Sequence, residues 1–184
     1  LGNIVTGKFG ESIRWQGRSA GGLLLERVPA TLELALLSLF VSAILAIPIG
    51  VLVAVKKDTG IDYLGKLIAL LGQSLPSFWL GLILMWVFAV QLGLLLPSGR
   101  GSIFPNVEAG SFKHLILPAI TLGWFQVAAL MRLIRSSMLE VLDTEYVKLA
   151  RIKGIPEWKV VWKHCLRNAM IAPLTYFGLI LGGL

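Results

Sequence analysis

Long charge-free stretches alternate with polar clusters along this chain, and their lengths predict helices that cross a bilayer. The first runs from Leu34 to Val55, about 22 residues or about 33 Å of helix, enough to span a hydrocarbon core. Residues Leu1 to Glu26 before it are Gly-rich, mixed in charge and too polar to span. Pro29 suits the first turn of the helix, where its missing N–H costs nothing. Glu33 then lies near the positive end of the helix dipole. Pro48 is interior and predicts a kink, which membrane spans tolerate.

A polar hairpin, KKDTGID, follows from Lys56 to Asp62. The next charge-free stretch, Leu67 to Gly99, is about 33 residues, too long for one straight crossing. Gly72, Pro76 and Gly81 interrupt it, which predicts a discontinuity at Pro76 and a bent or broken helix ending near Leu96. Two short re-entrant halves are the alternative. Pro97 to Lys113 is loop chemistry, rich in proline and glycine. A third crossing is expected from about Phe112 to Leu139, with Arg132 and Arg135 sharing a face near its end. The charged region Glu140 to Asn168 comes next, and Ala169 to Leu184 begins a fourth crossing.

Composition supports lipid as part of the solvent. Of 184 residues, 56% are hydrophobic and only 15% charged, against roughly 25% charged in soluble domains. The mean hydropathy is +0.80. A net charge of +7 suits nucleic acid or a membrane surface. Here the basic residues flank apolar runs, which favours the membrane and excludes nucleic acid as a partner. The single cysteine, Cys165, rules out an intrachain disulfide or a thiolate metal cluster and reads as a packing residue. No signal peptide is visible. The chain opens without an initiator Met and stops within an apolar run, so truncation at both ends is expected.

Lysine and arginine placement sets the expected orientation. Lys56, Lys57, Lys66, Arg132, Arg135, Lys148, Arg151, Lys153, Lys159, Lys163 and Arg167 fall on one side, against Arg100 and Lys113 on the other. Residues 140–168 are therefore expected in the cytoplasm, and the leading segment 1–27 in the periplasm.

The cytoplasmic region reads as two helices around a turn. The first is expected over Leu139 to Lys153, stopped by Gly154 in a left-handed conformation. Pro156 starts the second, with Glu157 in its first turn. Trp158, Val161, Trp162 and Cys165 recur at helical spacing as one apolar face. Lys159, Lys163 and Arg167 line another. Physical reasoning alone leaves two readings open, an amphipathic helix in the headgroups and a docking element for a cytoplasmic partner.

The segment resembles the cytoplasmic signature of ATP-binding-cassette importer permeases, E-A-A-x3-G-x9-I-x-L-P. Ala150, Gly154 and Leu166 match it, while Lys148, Leu149, His164 and Arg167 depart from it. Those departures agree with the dipeptide/oligopeptide/nickel branch, whose version resembles Y-V-x-x-A-R-x-K-G followed by H-x-L-R-N-A. Tyr146, Val147, Ala150, Arg151, Lys153 and Gly154 match the first part, and His164, Leu166, Arg167, Asn168 and Ala169 the second. LLLERVPATLELAL (Leu23 to Leu36), SLPSFWLGLIL (Ser74 to Leu84) and LPSGRGS (Leu96 to Ser102) are similar to the same branch, in the same order.

The resemblance implies an all-α, polytopic type I importer transmembrane domain over residues 1–184, with about four of six helices present. It implies a permease subunit that is not itself an enzyme, in the bacterial inner membrane, translocating peptides or nickel. Its implied partners are a homologous permease, two ATPase subunits that carry ATP and magnesium, and a periplasmic solute-binding protein. No cofactor is expected on this chain. Residues 140–168 would form the coupling loop, with Tyr146, Ala150, Arg151, Lys153 and Gly154 meeting the ATPase. Arg151 and Lys153 suit acidic partner groups, although membrane anchoring explains them equally well.

Within the spans, Gln73, Ser74 and Ser77 beside the break at Pro76 are candidates for the translocation pathway, with helix–helix hydrogen bonding as their other reading. His164 and His114 have no His, Asp or Cys at ligand spacing, so no metal site is assigned. An ion-coupled secondary transporter normally keeps an ionisable group deep in the membrane, and the charge-free runs hold no acidic residue. An intramembrane enzyme lacks its serine–histidine or metal-ligand constellation. A membrane scaffold leaves the cytoplasmic loop unexplained.

Overall fold

The computed structural model describes residues 10–13, 16–99 and 112–182, and every regular element among them is helical. In chain order these are α1 (Ala20–Val55), α2 (Gly60–Ser74), α3 (Ser77–Gln91), α4 (Lys113–Leu142), α5 (Glu145–Ile152), α6 (residues 157–169) and α7 (Ile171–Gly182). Two of them, α1 and α4, are long and apolar enough to cross a membrane, and the α2–α3 pair makes a third if taken as one span. At 12 residues, α7 is apolar but short.

The first helix starts earlier than its charge-free stretch. Ser19 caps it, its Oγ accepting from the Gly22 N–H at 3.4 Å, and the good helix formers of LLLER carry it forward. Arg18 and Glu26 approach to 3.7 Å on its exposed side. Charges at Glu26 and Arg27 end the apolar span without ending the helix, so residues 20–27 are helical. Pro29 therefore stands inside α1, not in its first turn. Glu33, also well inside, is 7% exposed, away from the helix end where its charge was expected to act. Helix α1 continues through Pro48 and totals 36 residues, about 54 Å of rise.

The core is the face shared by α1 and α4, joined at one end of the bundle by α5 and α6. Lipid supplies little hydrophobic drive between helices, so close backbone approach and dispersion hold such a pair. Gly50 shows the closeness: a Cβ there would lie 2.9 Å from Ile134 Cγ2 and 3.1 Å from the Met131 carbonyl. Ser38 and Ser42 are buried on α1, and each hydroxyl donates to a carbonyl of its own helix, Leu34 at 2.7 Å and Leu39 at 2.8 Å. That satisfies two polar groups where water is excluded.

The long stretch 67–99 is broken, as its length requires. Helices α2 and α3 meet at 99° across Leu75 and Pro76. Leu75 has φ −78° and ψ 127°, the extended conformation a following proline imposes. Pro76 then caps α3. The second half ends in a π-helical stretch, Met85–Gln91, so regular structure stops short of Leu96.

Candidate functional site

The end of the bundle that holds the 56–59 hairpin and residues 143–157 concentrates the predicted site residues. The break between α4 and α5 falls at Asp143 and Thr144, so Leu139–Leu142 belong to the long helix and the short one begins at Glu145. The expected single helix over Leu139 to Lys153 is thus two. Asp143 and Thr144 favour side-chain to backbone bonding over helix continuation, and the Thr144 hydroxyl donates to the Val141 carbonyl at 2.7 Å.

Helix α5 is amphipathic and rooted on one side. Val147 is fully buried and Ala150 is 6% exposed, both in the same apolar core as Ala54, Met138 and Val160. Tyr146, Leu149 and Ile152 point outward at 42%, 52% and 81% exposure. The Tyr146 ring meets His164 edge-on, with centroids 6.1 Å apart. Lys153 is exposed and terminates the helix.

Gly154 has φ +74°, the left-handed turn its position predicts. The Gly154 N–H donates to the Arg151 carbonyl at 2.9 Å, and the Ile155 N–H to the Ala150 carbonyl at 3.3 Å, closing the helix end. Arg151 has a partner within the chain. Its Nη2 and Nε donate to the two Glu157 carboxylate oxygens at 2.8 Å and 3.2 Å, bridging the turn. Those hydrogen bonds hold the Glu157 carboxyl below its usual value and raise the Arg151 guanidinium above its own.

Helix α6 departs from the simple helical reading. Residues Val160–Cys165 form π turns, in which residues five apart align. Val160 and Cys165 accordingly share the buried face with Val161, while Trp158 and Trp162 are 64% and 48% exposed. The tryptophans are not part of the buried face. They line an apolar groove of about 250 Å³ against Pro48, Val51 and Val55. Lys159, Lys163 and Arg167 are exposed.

One constellation was not anticipated. Asp62, completely buried at the start of α2, accepts from Arg135 Nε at 2.7 Å and Nη2 at 2.8 Å. Lys66 Nζ lies 2.9 Å away and the Asp58 N–H donates at 3.1 Å. Sequence reasoning placed Asp62 in the hairpin and Arg135 among the orienting charges. The signal available was Asp62 in a helix first turn, four residues before Lys66; the link to Arg135 needed the fold.

The pathway candidates are not gathered in one cavity. Gln73 is half-buried, and the exposed Ser74 donates its hydroxyl to the Leu70 carbonyl at 2.9 Å. Ser77 lines a cleft of about 550 Å³ between α3 and α4, with Phe78, Gly81, Leu96, His114 and Thr121. Part of the outer-loop resemblance, from Arg100 to Ser102, lies outside the described residues.

A multi-pass helical membrane domain with a short exposed helix rooted in its core is the class these features define. Residues 46–184 match the family described as binding-protein-dependent transport system inner membrane component, and the chain belongs to that family. It is 41% identical over 184 residues to the oligopeptide transport system permease protein AppB of Bacillus subtilis, covering 98% of this chain and 58% of that one. It is 39% identical to the di/tripeptide transport system permease protein DppB of Pseudomonas aeruginosa, covering 100% of this chain and 60% of the relative. The dipeptide permease DppB of Alkalihalophilus pseudofirmus is 36% identical, over 99% of this chain and 60% of the relative. The chain thus spans about three-fifths of the length of these relatives.

Proposed function

We propose that the chain forms part of the membrane pathway of an ATP-driven importer that carries short peptides across the bacterial inner membrane. A second permease, two cytoplasmic ATPase subunits holding ATP and magnesium, and a periplasmic binding protein complete the complex. Peptides are preferred over nickel because the relatives above are named for di-, tri- and oligopeptides. Ser77 and its cleft are the part of the peptide pathway this chain supplies, with Gln73 and Ser74 behind it.

The observation that supports this reading most strongly is α5 itself. Its inner face is locked into the transmembrane core through Val147 and Ala150, and its outer face offers Tyr146, Leu149 and Ile152 beside Lys153. A helix held in that way passes force. An ATPase cleft that closes on it moves α4 with it.

Gly154→Val tests the reading. No atom lies within 4 Å of a Cβ at Gly154, so the penalty is in the backbone, about 1–3 kcal/mol for a β-branched residue held left-handed. In vesicles carrying the whole complex, Gly154→Val is expected to insert normally yet lose binding-protein-stimulated ATP hydrolysis and peptide uptake. Gly154→Asn, which tolerates the left-handed region, is expected to retain most of both. Full uptake by Gly154→Val at wild-type expression would reduce the segment to a membrane anchor.

A further inference from the structure

Helix α2 connects two places that the proposed function requires to move together. Its first turn holds Asp62, and its far end is the near-right-angle break at Pro76. About 18 Å of helix separates them. Arg135 sits on α4 seven residues, about two turns, before its end at Leu142, and α5 starts three residues beyond, at Glu145. Around Arg135, α4 is tightly packed: Ile134 and Met138 are fully buried and Ile134 lies against Gly50 of α1. A displacement of α5 therefore reaches Arg135 as a rigid-body movement.

At Arg135 the contact onward to α2 is a directional one. Two parallel N–H donors of a planar guanidinium meet both oxygens of a carboxylate that has no exposure to solvent. Such a pair fixes orientation as well as distance, which apolar packing or a single ammonium does not. Lys66 and the Asp58 N–H hold the same carboxylate from the α2 side. Asp58 takes φ +61°, so the hairpin backbone is itself turned toward the carboxylate. The Asp62 carboxylate also meets the positive end of the α2 dipole.

We propose that Arg135 and Asp62 are positioning residues for transport, a strut through which movement of the coupling segment is delivered to α2 and the opening beside Pro76. The inference rests on the coupling role of α5 proposed above. Breaking the strut leaves α5 and α4 free to follow the ATPase while α2 lags, so hydrolysis continues and peptide no longer moves with it.

The whole complex in proteoliposomes, with a labelled mixture of two- to five-residue peptides, gives the test as peptide transported per ATP hydrolysed. Arg135→Lys keeps the charge and removes the fork. It is expected to insert at wild-type level, keep binding-protein-stimulated hydrolysis within about twofold, and lose at least about tenfold in peptide per ATP. Asp62→Asn leaves the partly buried Arg135 without its counter-charge and is expected to insert poorly. The double variant Asp62→Asn/Arg135→Gln removes both charges, so its insertion should recover while its peptide-to-ATP ratio stays low. An Arg135→Lys complex that transports at the wild-type ratio overturns the strut. So does one in which uptake and hydrolysis fall in proportion, since that is the mark of a merely structural pair. A wild-type complex showing no ATP-driven uptake would instead sink the proposed function.

Discussion

At the scale of single residues, the turn between α5 and α6 gives a cation a partner within the chain. Arg151, expected to meet acidic groups on a partner or to anchor the membrane surface, has its guanidinium spanning Gly154 to reach Glu157. Both side chains are about half exposed, so solvent screens the pair and its contribution is small. The lowered Glu157 carboxyl means that contribution is complete above the ordinary glutamate value of 4.5 and fades as pH falls through the lowered one. Carbon-13 labelling of glutamate carboxyls should place the Glu157 midpoint below 4.5, and Arg151→Gln should return it toward that value. Gly154 was legible because its neighbours, a helix before it and a proline two places later, leave little other use for it. Asp62 was not, because its partner is 73 residues away and nothing in local spacing joins the two.

Helices are where most of the reading succeeded, and the misses share a cause. A charge-free run marks where lipid begins, while a helix begins where its cap sits, so α1 starts at Ala20 well before the run at Leu34. The π turns of α6 moved the tryptophans off the buried face for a related reason, since a fixed 3.6-residue period cannot register a widened turn. Excess length, by contrast, located the break at Pro76 correctly. There the proline restricts Leu75 and withholds an N–H, so Pro76→Ala should allow the chain to straighten. Spin labels at Ile68 and Leu82, both exposed, should move apart by several ångströms, about the difference between a right-angle and a continuous 14-residue helix. An unchanged separation would place the cause of the bend in packing against α4. Cys165 is fully buried, and burial raises its thiol, so it should not compete for the label.

The whole molecule sorts its charges by end. The 56–59 hairpin, Arg135, α5 and the start of α6 gather at one end of the bundle, through Asp62 and through a core shared by Ala54, Met138, Val147 and Val160. The basic residues predict that end in the cytoplasm, so cysteines at Lys57 and Lys159 should react with an impermeant reagent in inverted vesicles and stay unlabelled in intact cells. Labelling in intact cells would reverse the orientation.

The rooting of α5 carries one more consequence. Eight residues are too few to hold a helix in water by themselves, because nucleation costs more than so short a ladder returns. Val147 and Ala150 have their shape only because α1, α4 and α6 are already assembled around them. Whatever docks on this helix consequently reads the completed fold of the membrane domain. A nascent or misinserted copy would offer a loose segment of the same sequence and no surface to grip, so under the proposed coupling role docking here would also proofread assembly.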